Sequence, residues 1–128
     1  MNDTCLLLTA ALSGAIACAA TGAAHAAGEG AILNNTAAYH YTADDYRLLR
    51  SKVQEALTAP ADGDAYPWRN GKTTASGSVT PLERESWRGL ECRRLRVETS
   101  DGLSTDRGVY RFCRTPSAGW KLAGPAAS

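Results

Sequence analysis

At 128 residues the chain has room for one domain, and 14 Lys and Arg against 13 Asp and Glu leave a formal net charge of +1. That near-balance excludes a bulk polycation and an acidic solvating chain, and with them the simplest route to nucleic-acid binding. Two histidines and four cysteines are the whole supply of soft metal ligands, and their placement decides what they can do.

The first element is the apolar run CLLLTAALSGAIACAATGAAHA, from Cys5 to Ala26. It ends in Ala24-His25-Ala26, the small-x-small pattern that a signal peptidase accepts, and predicts a secretory signal over residues 1–26. Its amino end, MNDT, carries Asp3 and lacks the basic residue of an ordinary signal. Two other readings apply to the same segment. As a membrane anchor it is long enough, but it is mostly Ala and Gly rather than Leu or Ile. As a lipoprotein signal, AIAC would present Cys18 for lipidation. Cleavage before Ala27 removes Cys5, Cys18 and Asp3, which leaves two cysteines and a net charge of +2. A cysteine pair in an exported chain favours a disulfide, because the compartment is oxidising.

Residues 27–41, AGEGAILNNTAAYHY, have no sustained period and read as a flexible spacer. His40, between two tyrosines, reads there as a surface side chain. TADDYRLLRSKVQEALTAP then predicts a helix over about 43–58. Thr42 is its N-cap, and Asp44 and Asp45 sit in the first turn, where they oppose the helix dipole. Tyr46, Leu49, Val53 and Leu57 recur at helical spacing and make one apolar stripe. Pro60 and the DGD after it stop the run.

From Ala65 onward the chain is short runs broken by turn residues, the pattern of antiparallel strands. YPWRNGKTTASGSVTP predicts a strand at Trp68, a loop at Asn70-Gly71 and a return strand through Gly77 to Thr80. LERESWRG predicts a separate edge strand ending at Gly89, and WKLA a short last strand after the turn TPSAG. The expected architecture is α+β, one N-terminal amphipathic helix on a sheet of four or five strands over residues 42–123, with 124–128 as a tail. Residues 27–64 carry a net charge of −3 and residues 65–128 a net of +5, so the helical half is acidic and the sheet basic.

Between the last two predicted turns lies LECRRLRVETSDGLSTDRGVYRFCR. If Cys92 faces Cys113 in an antiparallel hairpin, Leu95 faces Tyr110 and Glu98 faces Arg107, an apolar and an opposite-charge pair. The same register leaves Gly102-Leu103 as a two-residue loop suited to a type II′ turn. One pairing fits badly: Arg94 faces Arg111, which requires a bulge or an acidic neighbour. Opposed cysteines on neighbouring strands lie near bridging distance, so the pair is read as a structural disulfide. A metal site needs more ligands, and a reactive thiol wants an activated, accessible cysteine.

Several of these stretches together resemble a known family. PWRNGKTTASGSVTP, ECRRLRV, GVYRFCR and GWKLA, in this order, are similar to the C-terminal domain of the 17 kDa surface antigen family of bacterial outer-membrane and periplasmic proteins. The matching positions include Trp68, Arg69, Asn70, Gly77, Val79, Pro81, Cys92, Arg93, Gly108, Cys113, Arg114, Gly119, Trp120 and Lys121. The glycine-zipper segment carried by many members is not present in residues 27–41. The resemblance implies an envelope protein of a Gram-negative bacterium, in the periplasm or at the cell surface, with no catalytic residues to carry over.

The expected function is therefore a noncatalytic exported envelope protein, with no cofactor and no metal. The alternative is a binding module for an anionic envelope polymer or a partner protein, through Arg93, Arg94, Arg96, Arg111 and Arg114 with Trp68 and Trp120. Arginines that only keep the wet face of a sheet soluble are the competing reading. Nucleic acid is not an expected partner, and membrane association is expected only with lipidation or an uncleaved signal.

Overall fold

The computed structural model describes residues 37–127. The signal segment 1–26 with Cys18, spacer residues 27–36 and Ser128 lie outside the described residues. A short 3-10 turn, Ala38–His40, leads into helix α1, Ala43–Leu57. Five strands follow: β1 Tyr66–Arg69, β2 Ser76–Trp87, β3 Leu90–Ser100, β4 Thr105–Thr115 and β5 Gly119–Pro125. They form one antiparallel sheet in the order β1-β2-β3-β4-β5. The fold is α+β, as the periodicities predict.

Helix α1 starts where Thr42 can close a capping box. Its hydroxyl accepts from Asp45 N at 3.2 Å, while Asp45 Oδ2 accepts from Thr42 N at 2.8 Å. Leu49, Val53, Ala56 and Leu57 are buried on one side of the helix. They join Trp68, Val79, Leu95, Val97 and Phe112 of the sheet in a single apolar core. Opposed residues of an antiparallel pair share a face, so the register sorts the sheet side chains cleanly. Val79, Val97 and Leu95 face the helix, and their even-numbered neighbours on β3 face away.

The central hairpin takes the register predicted from the cysteines. Cys92 pairs with Cys113, Leu95 with Tyr110, Glu98 with Arg107, and Gly102 has φ +97° in the turn. The Cys92–Cys113 disulfide is formed and buried. The awkward Arg94–Arg111 pair is relieved by acidic neighbours, Glu83 on Arg94 and Glu85 on Arg111.

Three expectations are corrected. The return strand and the LERESWRG strand are one strand, β2. Pro81 interrupts the ladder, but the register shift between Pro81 and Arg84 absorbs it as a bulge and carries the strand on to Trp87. The tight turn after it, Arg88-Gly89, places both residues at positive φ, 51° and 78°.

The described end of the supposed spacer is packed, not flexible. Ala37 and Ala38 are fully buried, and Ala37 N donates to Asp106 Oδ2 at 2.8 Å. The Tyr41 hydroxyl meets the Ser76 carbonyl, the Ser100 carbonyl and Ser100 N, each at 3.0 Å. Burial outweighs the Ser100 hydrogen bond there and pushes its pKa up to about 12.

The tail is likewise pinned. Pro125 belongs to β5, Ala126 N donates to Val109 O at 2.8 Å, and Ala127 O accepts from Arg94 Nη1 at 2.7 Å.

Candidate binding face

The helix covers one face of β1–β3, and the register lays the other face out in rows. The first row across β1–β4 is Arg69, Ser76, Ser100 and Thr105. The next is Pro67, Ser78, Glu98 and Arg107, followed by Thr80, Arg96 and Val109. Beyond the bulge come Arg94 and Arg111 with Glu83, and then Glu85, Cys92, Cys113 and Lys121. These rows hold six cations and three carboxylates. Every position is an even step along β3 from Cys92, so the disulfide lies in the plane of this face.

The charged groups differ in how far they are already satisfied. Arg111 Nε donates to Glu85 Oε1 at 2.6 Å, and its guanidinium lies 4.9 Å from the Trp87 ring centre. Arg88 stands 4.2 Å from the same ring. Arg94 is held by Glu83 and the Ala127 carbonyl, although its Nε is buried without a partner. Arg107 pairs with Glu98 at 3.0 Å. Arg96 and Arg69, by contrast, make no ion pair or hydrogen bond among the described residues.

The seven residues predicted as one anion-binding cluster therefore divide. Arg94, Arg96 and Arg111 share the open face. Arg114 and Trp120 pair with each other on the helix side, beyond the helix itself, where Arg114 is 3.7 Å from Glu91 and Trp120 packs against the core. Trp68 is a core residue, 6% exposed, with its ring edge on to Tyr41 at 5.5 Å. Its indole N–H is buried without a partner.

Arg93 is the largest correction, because it is fully buried. It has the parity of Leu95 and Val97, so it points at the helix C-terminus. Nη1 donates to the carbonyls of Ala56, Leu57 and Ala59 at 3.1, 3.3 and 2.6 Å. Nη2 donates to Ala61 O at 3.2 Å and Asp62 Oδ1 at 2.7 Å, and Nε to Leu82 O at 3.2 Å. Arg93 thus meets the last carbonyls of α1, those of the chain just beyond it and one of β2, placing a cation where the helix dipole is negative. It is a helix anchor and offers nothing to a ligand.

Asp45 does the matching work at the other end of α1 and is 1% exposed. Its Oδ1 accepts from Asn70 Nδ2 at 2.7 Å and Thr73 Oγ1 at 2.8 Å. Burial alone would raise its pKa, but the hydrogen bonds from Thr42, Asn70 and Thr73 outweigh it and hold the carboxyl below its ordinary value.

Sequence reasoning left Glu83, Glu85 and Trp87 out of the site. Strict two-residue alternation from Ser76, Ser78 and Thr80 would put all three on the helix side, and only the register shift between Pro81 and Arg84 turns them to the open face beside Arg94 and Arg111.

No cluster of three or more His, Cys, Asp and Glu able to hold a metal occurs among the described residues. No helix among them is long and apolar enough to cross a membrane. Compared with known proteins, the chain matches no family model, no curated protein and no solved structure.

Proposed function

We propose that this chain is a noncatalytic, exported cell-envelope protein of the 17 kDa surface antigen kind that works as an interaction domain. Export is supported by the signal-like segment 1–26 and by a disulfide between directly opposed, buried cysteines, a bond that persists in oxidising compartments. The observation that carries the interaction role is the charge of the open face: among the described residues, six cations against three carboxylates, with Arg96 unpaired. An anionic envelope polymer is the chemical complement of that face. The two buried charged groups, Arg93 and Asp45, serve the fold by holding the two ends of α1.

The test has two stages. Expressed with its own N-terminal segment in a Gram-negative host, the protein is expected in the envelope fraction, lacking residues 1–26 and two hydrogens lighter than its reduced form. A mass that retains Cys18 with an added lipid would place it at a membrane instead. The purified protein is then titrated with an anionic polysaccharide. Binding should fall as salt rises, and Arg96→Glu should weaken it by about tenfold or more. A full-length cytoplasmic product, or binding indifferent to both salt and Arg96→Glu, would overturn the proposal.

A further inference from the structure

At the β1 end the first two rows, Arg107 apart, line a shallow, open groove of about 550 Å³. Its character differs from the arginine-rich end. Ser76, Ser78, Ser100 and Thr105 present hydroxyls from three strands, with Arg69 at one rim and the Glu98 carboxylate in the floor.

Those hydroxyls are unspent. Among the described residues the side chains of Ser76, Ser78 and Thr105 make no hydrogen bond. Ser100 Oγ accepts only from Gly102 N, at 3.1 Å, which leaves its O–H free to donate. Glu98 gives Oε2 to Arg107 and keeps Oε1 free of hydrogen bonds. Each hydroxyl is one donor and two acceptors, so the groove can both give and take hydrogen bonds along its length. Three strand spacings of about 4.8 Å set the length of each row at roughly 14 Å.

Gly77 sits between Ser76 and Ser78, on the opposite face, and permits this surface to form. A Cβ there would overlap the Glu98 carbonyl oxygen and stand 2.8 Å from Trp68 Nε1. With glycine, β2 lies close against β3 and the two serines and Glu98 are held at ladder spacing.

We infer that this groove binds the neutral, polyhydroxylated rings of an oligosaccharide. The inference rests on the reading of the open face as an interaction surface and names what its β1 end recognises. A phosphate or uronate polymer would meet the Glu98 carboxylate in the floor, and the two charges of that row, Glu98 and Arg107, already cancel. Sugar hydroxyls meet no such penalty. They donate to Glu98 in charge-assisted hydrogen bonds and accept from the serines, while the Pro67 ring in the same row offers an apolar surface to a sugar face.

The experiment is a titration of the isotope-labelled protein with neutral tetrasaccharides, one of glucose and one of N-acetylglucosamine, read by amide NMR. Shifts are expected on Ser76, Ser78, Ser100 and Thr105, unchanged at high salt because no net charge is matched. Glu98→Gln should weaken binding by about tenfold, the loss of a charge-assisted hydrogen bond. Ser78→Leu should abolish it by filling the groove. Arg96→Ala should leave it unchanged while weakening the anionic polymer. Shifts centred on Arg96 and Trp87, salt-sensitive binding, or an undiminished affinity in Glu98→Gln would overturn the inference. If the anionic polymer binds and no neutral sugar does, this inference fails and the broader reading stands. If neither binds, both fail.

Discussion

At the scale of single residues, the two buried charges of α1 carry the heaviest stability consequences. Arg93 places one guanidinium against five carbonyl oxygens and one carboxylate. A lysine has the charge but not the fork, so Arg93→Lys should cost about 2 kcal/mol, and Arg93→Ala about 4 kcal/mol, by urea unfolding. Asp45 makes part of the stability depend on acid. Its folded pKa lies below the unfolded value of about 3.9, so its contribution is present above that value and lost as pH falls through the folded pKa. Asp45→Asn keeps one acceptor oxygen and turns the other into a donor that faces either Thr42 N or the Asn70 amide, and should cost about 2–3 kcal/mol at neutral pH. Its unfolding free energy should also fall less steeply than that of the parent chain below about pH 4, when the two are followed by denaturant midpoints across pH.

Elements were legible to different degrees, for reasons that can be traced. Helix α1 was read to within a residue because Thr42, the acidic first turn and the 3.6-residue stripe all agree. The β3–β4 register was legible because a disulfide, two side-chain pairs and a turn share one alignment. The unity of β2 was hidden by Pro81, which ordinarily ends a strand and here occupies the edge of a bulge. The inward direction of Arg93 was hidden because arginine reads as a surface residue, although its parity with Leu95 and Val97 was in plain view. The packing of Ala37–Tyr41 leaves no periodic trace, since it depends on single contacts to Asp106, Ser76 and Ser100. At this scale Gly77 is the most constrained position of β2. Gly77→Ala must push β2 from β3 or displace Trp68, and should lower stability by about 3 kcal/mol in thermal unfolding.

For the molecule as a whole, the described residues make the sheet a one-sided layer. Among them one 15-residue helix covers β1–β3, and a core of this size leaves a narrow margin of stability. The Cys92–Cys113 bridge closes a loop with a sequence separation of 21, worth about 3 kcal/mol through the unfolded chain. The double replacement Cys92→Ser and Cys113→Ser should lower the melting temperature by more than about 10 °C. Reductant should reproduce that loss in the parent chain and change nothing in the double variant.

The order β1-β2-β3-β4-β5 has a kinetic consequence. Each strand lies beside the one that precedes it, so every ladder closes over a loop of a few residues and pays little chain entropy to form. The sheet can zip outward from the β3–β4 hairpin in both directions before the helix is seated. The contacts that tie the helical segment to the sheet across the most sequence, Ala37 on Asp106, Tyr41 on Ser100 and Arg93 on Ala56–Asp62, are then the last to close. They act as latches on an assembled frame, so releasing one should hasten unfolding and leave the rate of folding nearly as it was.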